Sequence, residues 1–591
     1  MNFLSIGKNW NTILLVFILS ANAQFNTTQA QELFIGDEAE SFFEGVNDVF
    51  KRQINLSLPK KARDQSTDSR KILVFNMHKN RQGIGKGHVS IPFGNYMLYM
   101  MGEKTGAWET WFSRDTLVFK REVLNKFDAI CFNNTAGVLF NDPELRNNLL
   151  EYVYSGKGFI GLHAAGATFV QYPVYDQFPE FGVMLGGYEN GGHPWTSYEW
   201  ITIKVNEPDH PLNMDYRSVN FDICDEVFQF SEPYSRDNLR VLVSIDTDKT
   251  DMTDSLKERR ILPERKADLD IALAWIKGYG RGKVYYSSFG DNPHVNWDPR
   301  ILRQNLAGIQ FVLGDLEASY TPNNKLTPAI EAQEKLGWRL GLTAYSFKDN
   351  TLFETIDQAA ELGVWHLGGL NVQKVSKNID KNFDHNLTDK ELIQIRQRFV
   401  TAGVKLVTYY IHDIPNDEET CYNIFEFGRK MGIETFISEP KPEALDLIDQ
   451  YCAKYNIKVA IHNHGKKISP KYWNPKGILK ACKRRSPYIG ACGDIGYWIR
   501  SGIDPVEAIE LIGDRLITLQ VHDLNEITED GHDVPWGTGE TDLNAFFMQL
   551  KAHKIKPSLV GLEYSYKWGE SLPDIKESIK FFNATSIDLA D

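Results

Sequence analysis

The sequence predicts a two-domain α/β protein, in which a doubly wound sheet is followed by a closed (β/α)8 barrel. The first observation is length, because 591 residues exceed the size at which one hydrophobic core stops growing. The second is an alternation of apolar, strand-like runs with helical runs between residues 71 and 316. The third is a stricter alternation after Trp338, where eight such units follow one another, the number of a closed barrel of about 250 residues.

The chain begins with the pattern of a secretory signal peptide over residues 1–23. Lys8 supplies positive charge, "TILLVFILS" forms an apolar core, and "ANA" before Gln24 has the small-x-small form of a cleavage site. The apolar run is short for a membrane span, so an uncleaved anchor is the weaker alternative. We therefore expect an exported protein, periplasmic or extracellular. Residues 24–69 are polar and mixed, which predicts a loosely packed lead-in segment.

The first folded domain is predicted over residues 70–316. Its strand-like runs are "KILVFNMH", "FDAICFNN", "GKGFIGLHAAG" and "GKVYYSSFG", and the helix "PRILRQNLAGIQFVLG" closes it. Buried runs that alternate with helices predict a mostly parallel, doubly wound sheet. Residues 317–337 carry two prolines and two adjacent asparagines, which favours a linker.

The barrel is predicted over residues 338–586. Several of its helices open on Thr or Asp caps and close on Gly. The eight predicted strands are "RLGLTAYS", "WHLGGL", "KLVTYYI", "ETFISEP", "KVAIHNH", "IGACGD", "LITLQVHD" and "PSLVGLEY".

The composition of the chain restricts the classes of molecule that it is expected to bind. A net charge of −13 disfavours nucleic acid and anionic membranes, which both require basic surface, and no later stretch reads as transmembrane. The six cysteines form no CxxC pair and no zinc-type cluster, so buried free thiols are expected. The sequence leaves open a disulfide between Cys482 and Cys492.

Four of the predicted barrel strands end on metal-type ligands. These residues are Glu439, Asp494, His522 and Glu563, which follow strands four, six, seven and eight. A closed barrel gathers the carboxyl ends of its strands at one mouth, so the four side chains are expected to meet there. Three carboxylates and one imidazole suit one divalent ion, Mn²⁺, Mg²⁺, Co²⁺ or Zn²⁺, without selecting among them.

The same mouth holds candidates for contact with a substrate. His462 and His464 in "IHNHG" are two residues apart and therefore face the same side of strand five. They are candidates for hydrogen bonds to a substrate hydroxyl. Tyr497, Trp498 and Trp536 are further candidates, and the two tryptophans suit stacking on a sugar ring, with barrel packing as the alternative.

From residue 338 onward the chain resembles the sugar phosphate isomerase/epimerase family, with its xylose isomerase-like barrel. The motifs that carry the resemblance are "ISEP", "IHNHG", "GDIGYWIRSGIDP", "LQVHDLNE", "VPWGTGETDL" and "LEYSY". The resemblance implies one divalent metal bound by Glu439, Asp494, His522 and Glu563. It also implies that Glu439 and Glu563 are catalytic and exchange protons with adjacent sugar carbons. Tyr497 departs from the family, because many relatives have His three residues after the metal-binding Asp.

The first domain resembles the ThuA-like domain, a relative of the class I glutamine amidotransferases. The matching motifs are "GKGHVSIPFGN", "GKGFIGLHAAGATF", "GGYENGGHPW", "DEVFQF" and "LAWIKGYGRGKVYYSSFGD". The amidotransferase nucleophile, a cysteine, follows a strand at a tight turn. The matching turn here is "LHAAG", which lacks Cys and Ser and so disfavours covalent acyl chemistry. His88, His163, His193 and Glu226 are expected to line a pocket, with Asp291 or His294 in place of the family's Gly-His.

The leading functional hypothesis is an exported, metal-dependent carbohydrate enzyme that removes a proton next to a carbonyl. Isomerisation or epimerisation of an unphosphorylated sugar is the first form, since no phosphate-cradling glycine loop occurs. β-Elimination from a 3-keto-glycoside is the second form. A metal-dependent endonuclease is disfavoured by the acidic charge, and a non-catalytic carbohydrate-binding protein is disfavoured by the intact ligand set. The expected partner is a small carbohydrate, and the sequence is silent on oligomeric state.

Overall fold

The computed structural model describes residues 33–66, 68–80, 82–171, 174–190, 192–217 and 219–591. The predicted signal peptide, residues 1–23, lies outside the described residues. In the part of the chain that is described, no helix combines the length and the apolar character that a membrane crossing requires.

The described residues form twenty-three strands and eighteen α-helices, numbered in chain order. The strands are β1 Lys71–Phe75, β2 His78–Asn80, β3 Gly83–Gly85, β4 Glu109–Ser113, β5 Ala129–Asn133, β6 Gly158–Leu162, β7 Val170–Gln171, β8 Val174–Asp176, β9 Tyr188–Glu189, β10 Trp200–Val205, β11 Phe221–Cys224, β12 Phe230–Ser231, β13 Arg240–Ile245, β14 Ala272–Tyr279, β15 Gly282–Ser287, β16 Leu340–Thr343, β17 His366–Leu370, β18 Lys405–Tyr410, β19 Thr435–Ser438, β20 Lys458–His462, β21 Ile489–Asp494, β22 Leu516–Val521 and β23 Val560–Leu562. The helices are α1 Asp48–Ser57, α2 Ile91–Thr105, α3 Arg121–Leu124, α4 Pro143–Tyr154, α5 Pro179–Leu185, α6 Ser255–Arg260, α7 Pro263–Asp268, α8 Pro299–Leu313, α9 Pro328–Leu336, α10 Leu352–Glu361, α11 Asp389–Ala402, α12 Glu418–Lys430, α13 Leu445–Tyr455, α14 Pro475–Cys482, α15 Ile495–Arg500, α16 Pro505–Ile512, α17 Leu543–Ala552 and α18 Leu572–Ala590.

The first domain is built on a nine-stranded sheet in the order β11-β10-β13-β14-β15-β6-β5-β1-β4. Both faces of its centre are covered, as in a doubly wound fold. In β1, Leu73 and Phe75 pack into one hydrophobic cluster, whereas Ile72 and Val74 pack into the cluster on the opposite face. Residues that alternate between two cores explain why this strand is apolar throughout rather than at every second position.

Only half of this sheet is parallel, so the expected mostly parallel sheet is corrected to a mixed one. β4, β1, β5, β6 and β15 pair in parallel. The strands beyond them, β14, β13, β10 and β11, pair antiparallel. The reason lies in the short connection between β14 and β15, where Gly280 has φ of +61° and closes a hairpin that a parallel pair would not permit.

The segment before the sheet is also corrected, because residues 33–66 are packed and not loose. Phe42, Val46, Ile54 and Leu58 are all buried in the cluster that covers one face of the sheet. Phe42 ends a short 3-10 helix, Ile54 lies on α1, and Leu58 follows the end of α1. The polar composition of the segment conceals these few apolar anchors.

The second domain is the predicted barrel, and all eight predicted strands are confirmed. β16 to β23 form a closed barrel with neighbouring strands paired in parallel, and β23 returns to β16. Glu439, Asp494, His522 and Glu563 all lie at the carboxyl ends of strands, as the last strand residue or the first residue after it.

The predicted linker contains a docked helix. Within residues 317–337, α9 begins after Thr327, whose hydroxyl accepts a hydrogen bond from the backbone N–H of Ile330. The amide of Gln333 on α9 donates to the side chain of Asn583 on the C-terminal helix α18 at 2.9 Å. This helix therefore belongs structurally to the barrel, whereas Asn323 earlier in the segment accepts from the backbone N–H of Val241 in the first domain at 2.7 Å.

Charged contacts join the two domains. Glu151 on α4, which is 2% exposed, accepts from Arg429 on α12 at 2.6 Å and contacts Arg396 on α11 at 3.4 Å. Elsewhere, Arg281 after β14 donates to the backbone carbonyl of Asn456 at 2.7 Å. The arginines outweigh the effect of burial, which raises the pKa of Glu151, and hold that pKa below its usual value. A buried carboxylate with paired arginines fixes the relative placement of α4, α11 and α12.

All six cysteines are free thiols, and five of them are buried. Cys482 and Cys492 are not bonded to each other, which resolves the pairing that the sequence left open.

Candidate metal centre and active site

Three metal-type side chains converge at the mouth of the barrel. Asp494 ends β21, His522 follows β22 and Glu563 follows β23, and one donor atom from each lies within 4.8 Å of the others. The imidazole Nε2 of His522 is 3.7 Å from Asp494 Oδ2 and 3.9 Å from Glu563 Oε1. All three residues are buried.

Each of the three side chains is held by one polar atom and presents another. Asp494 Oδ1 accepts from the backbone N–H of Tyr497 at 2.9 Å, as the N-cap of α15. Glu563 Oε2 accepts from the side-chain amide of Gln520 at 2.7 Å. His522 Nδ1 is 3.1 Å from Asp533 Oδ1, to which it donates. The remaining atoms, Asp494 Oδ2, His522 Nε2 and Glu563 Oε1, face one another.

These residues fit a divalent cation. In the described residues, Asp494 Oδ2 and His522 Nε2 are buried and have no hydrogen-bond partner. A buried polar atom without a partner costs about 1–3 kcal/mol, and more when it is charged. A cation among them supplies the missing partner for both. Asp533 provides the carboxylate that typically orients a metal-binding histidine and exposes its other nitrogen.

The protonation of this group follows from its carboxylates. Burial lowers the pKa of His522, but Asp533 and Asp494 outweigh it and raise that pKa well above its ordinary value. Burial raises the pKa of Asp533, yet His522 and Ser565 lower it to about 2. Burial raises the pKa of Glu563. Glu563 is therefore the most basic carboxylate of this group, and a divalent cation would compete with a proton for Nε2 of His522.

Glu439 groups with His462 and His464 rather than with the other three, so its place in a four-ligand set stays a prediction. Its Oε1 is hydrogen-bonded to Nδ1 of His464 and is 3.3 Å from Nδ1 of His462. His462 lies between the two groups, because its Nε2 is 3.5 Å from Asp494 Oδ2. The imidazole of His462, which ends β20, thus lies between Glu439, which follows β19, and Asp494, which ends β21.

The two histidines of "IHNHG" therefore contact Glu439 directly. Burial lowers the pKa of His462, but Asp494 and Glu439 raise it to about 9. Burial raises the pKa of Glu439, and the two imidazoles lower it well below its usual value. His464 is the more accessible ring, with a side chain that is 20% exposed. It is placed to contact a substrate as well as Glu439.

Of the three aromatic candidates, one lies at the mouth. Tyr497 is partly buried, with its ring centroid 4.9 Å from that of His464. Trp498 is 0% exposed and belongs to the hydrophobic core, with its ring against Gly493. Trp536 is 3% exposed and packs on Phe582. Both tryptophans are barrel packing, which corrects their assignment as sugar platforms.

The mouth contains residues that the sequence reasoning missed. Asp533 lies in a long loop after β22 and accepts from both the backbone and the hydroxyl of Ser565. No strand end marks it, so only the fold reveals its role. Tyr345 follows β16 and is 40% exposed, and its pKa is raised first by burial and then by Glu563. Trp568 donates to the Tyr345 carbonyl at 3.1 Å. Tyr345 could have been predicted from the sequence, because functional side chains are expected at the carboxyl ends of barrel strands and Tyr345 follows β16.

The first domain gathers a second group of side chains. Donor atoms of His88, His163, Glu226 and Asp291 all lie within 4.8 Å of one another. His193 is adjacent, with Nδ1 3.2 Å from Glu226 Oε1. Of the two alternatives offered for the last position, Asp291 joins the group, whereas His294 is exposed. Burial, followed by Asp291 and Glu189, raises the pKa of Glu226 to about 7.

Fold and site together define a two-domain α/β protein with a carboxylate–histidine group at the mouth of a parallel barrel. Residues 71–312 match the family described as ThuA, trehalose utilisation. Residues 442–585 match the family described as xylose isomerase-like TIM barrel. The chain thus carries a ThuA domain followed by a xylose isomerase-like TIM barrel. The second match includes Asp494, His522 and Glu563 and begins just after Glu439.

Individual proteins resemble this chain over less than half of its length each. The protein y4fM of Sinorhizobium fredii, itself uncharacterized, is 23% identical over 268 residues, which are 45% of this chain and 75% of that protein. A crystal structure of an uncharacterized protein from Parabacteroides distasonis is 28% identical and covers 42% of this chain and 98% of its own, with a TM-score of 0.35. The 3-keto-D-glucoside 4-epimerase of E. coli is 13% identical and covers 42% of this chain and 99% of its own, with a TM-score of 0.34.

Proposed function

We propose that the barrel is a divalent-metal-dependent sugar isomerase or epimerase that removes a proton next to a carbonyl of an unphosphorylated sugar. The observation that carries the proposal is the arrangement of Asp494, His522 and Glu563. Each is fixed through one atom and directs another at a common point, and two of the directed atoms have no hydrogen-bond partner in the described residues.

The chain's own residues divide the work. Glu563, whose pKa is raised by burial, accepts the proton from the carbon next to the carbonyl. A divalent ion held by Asp494, His522 and Glu563 would stabilise the negative charge that develops on the carbonyl oxygen. Asp533 keeps Nε2 of His522 directed at that point.

In this proposal Glu439 takes part in the second step, in which a proton is returned to the sugar. It is hydrogen-bonded to His464 and lies 3.3 Å from His462, and the pKa of His462 is raised to about 9. The protonated imidazole of His462 beside Glu439 provides a proton reserve on the other side of the group. Returning that proton to the same carbon from the opposite face inverts the carbon, and returning it to the neighbouring carbon isomerises the sugar.

Two features support an unphosphorylated substrate outside the cell. The sequence of residues 1–23 has the form of a signal peptide, and sugar phosphates are largely intracellular. The exposed ring of Tyr345 lies close enough to Glu563 to feel its charge, and the partly buried ring of Trp568 packs edge-on against it with centroids 6.1 Å apart; such rings suit the apolar face of a sugar.

Proton NMR in D₂O tests this function. Full-length protein loaded with Mn²⁺, Co²⁺ or Zn²⁺ is mixed with a panel of free aldoses, ketoses and 3-keto-glycosides, and a chelator-treated sample is the control. Deuterium at a carbon next to a carbonyl, only in metal-loaded protein, is the expected result. Loss of a glycosidic leaving group would redirect the proposal to β-elimination, which begins with the same proton abstraction. No exchange across the panel, with metal shown to be bound, would overturn it.

A further inference from the structure

The second histidine–carboxylate group lies in the first domain, apart from the barrel mouth. Its members come from four separate segments: His88 before α2, His163 after β6, Glu226 between β11 and β12, and Asp291 after β15. β6 and β15 are neighbouring parallel strands, so their carboxyl ends bring His163 and Asp291 to the same edge of the sheet. Nε2 of His163 is 3.8 Å from Asp291 Oδ1.

His163 is held in an unusual backbone conformation. Its φ is +45°, in the left-handed region that a residue with a side chain occupies at a cost of about 1–3 kcal/mol. This is the sharp turn after a strand that, in several α/β enzymes, projects a reactive side chain over the sheet. The carbonyl of His163 accepts from the Tyr286 hydroxyl at 2.8 Å, which helps to hold the turn.

One ring nitrogen of His163 is hydrogen-bonded and the other is not. Nδ1 is 2.8 Å from the carbonyl of Ser288, and because a carbonyl only accepts, Nδ1 carries the proton. Nε2 is then a bare lone pair, and it is buried without a hydrogen-bond partner among the described residues. The side chain is 0% exposed, so water does not replace the missing partner. A neutral imidazole oriented by a carbonyl at Nδ1 is the form in which histidine binds metals.

Asp291 is positioned by a second, fully buried carboxylate. Asp225, which is 0% exposed, accepts from the backbone N–H groups of Gly290 at 2.7 Å and Asn292 at 2.8 Å, on either side of Asp291. The Ser197 hydroxyl donates to Asp291 Oδ2 at 2.5 Å. Oδ1 remains directed at the histidines and lies 3.9 Å from Nε2 of His88.

We propose that His88, His163, Glu226 and Asp291 form a second divalent metal site, distinct from the barrel and suited to Zn²⁺. Ligand atoms at about 2.1 Å around tetrahedral zinc are about 3.4 Å apart, so the observed separations close on an ion with small side-chain movements. Two imidazoles and two carboxylates match zinc better than Ca²⁺ or Mg²⁺, which prefer oxygen alone. His163 forms the floor of the site, and the 26% exposed His88 side chain marks the side open to water or a hydroxyl ligand.

Metal binding to the full-length chain tests this site separately from the barrel. The barrel group is first removed by Asp494→Asn together with His522→Ala. That protein is dialysed with Zn²⁺ and analysed by mass spectrometry, and with Co²⁺ and examined by visible spectroscopy. We expect one zinc per chain and the intense cobalt band of a four-coordinate site. Adding His88→Ala or Asp291→Asn should weaken zinc binding at least tenfold, whereas His294→Ala, a neighbouring exposed histidine, should leave it unchanged.

The outcomes separate this proposal from the proposed sugar chemistry. A barrel-disabled chain that binds no zinc, or that binds it equally well with His88→Ala and Asp291→Asn, overturns the second site whatever the barrel does. If the barrel variants do not fold, the comparison is made in the wild-type barrel, where His88→Ala should lower the zinc content by one per chain and an unchanged content overturns the second site. Circular dichroism of each variant checks that the fold is intact.

Discussion

The barrel mouth and the pocket of the first domain both bring histidine and carboxylate side chains together, but the backbone that positions these side chains differs. At the mouth all three side chains, and in the pocket His163 and Asp291, use one polar atom for a hydrogen bond within the protein and direct another at a shared point. At the mouth, Asp494, His522 and Glu563 sit at the ends of regular parallel strands. In the first domain, His163 requires a left-handed turn, and Asp291 requires a clamp by Asp225. Regular strand ends position ligands without local strain, whereas a loop-built site requires dedicated supporting residues.

The two groups also differ in charge. At the mouth, carboxylates raise the pKa of His522 and His462. In the first domain, burial lowers the pKa of His163 and, with Arg260 and His88, lowers that of His193 to about 4. His522 and His462 are therefore protonated at neutral pH when no cation is bound, whereas His163 and His193 are neutral. The difference arises because Asp533 and Asp494 both face His522, while His163 faces a backbone carbonyl on one side.

The largest expected effect is the loss of turnover when Glu563 is replaced, which should affect the barrel and not the first-domain group. Glu563→Gln keeps the shape of the side chain but removes the base, so we expect turnover to fall by roughly 10²–10⁴-fold. Metal in the first-domain pocket should be unaffected. Deuterium exchange and metal analysis on the same preparation measure both quantities. Glu570→Gln, an exposed glutamate in the same segment, is the matched control, and full activity in Glu563→Gln would refute the base role.

A smaller effect is expected from the residue that orients His522. Asp533→Asn leaves a similar shape but loses the charge that holds Nδ1–H, so the barrel should lose about 10–100-fold in metal affinity. The pocket of the first domain has no contact with Asp533 in the described structure and should keep its affinity. Isothermal titration with Zn²⁺ measures the two sites, and nitrogen NMR of His522 reports its tautomer. Asp530→Asn, an exposed neighbour, is the control; equal weakening in both variants would contradict the orienting role.

The smallest effect concerns a buried histidine outside both groups. His210 lies between the first domain and the chain that leads to the barrel; its Nε2 donates to the Ser319 carbonyl at 2.9 Å. Burial, partly opposed by that carbonyl, lowers its pKa to about 4. The folded form thus binds this proton less readily than the unfolded form, so stability is lost as pH falls from about 6.5 to 4.

Urea unfolding at pH 7 and pH 4.5 measures this loss. We expect this histidine to contribute up to about 3 kcal/mol of the difference, and His210→Gln should reduce the difference. His294→Gln, at an exposed position, should not. Neither variant should alter metal content. A change in metal content with His210→Gln would show that His210 is coupled to one of the two groups.

Most of the barrel was predictable because its signals are local. Each strand is a short apolar run, each helix opens on a cap, and a closed barrel requires strand ends to share one mouth. Asp494, His522 and Glu563 were found by that rule alone. The position of Glu439 was predictable too, but its direction was not, because it depends on the rings of His462 and His464. Trp498 and Trp536 failed for the same reason: residue type does not say which way a ring points.

The sequence by itself determined the two fold classes, the order of the strands along the chain and the residue types that end them. These follow from periodicity and composition, which act over a few residues. Tertiary structure alone decided that half of the first sheet is antiparallel, that residues 33–66 and α9 are packed, and that Asp533 and Asp225 support the two groups. Those outcomes rest on contacts between residues far apart in the chain, such as Asp225 with Gly290, and no local pattern encodes which distant partners will meet.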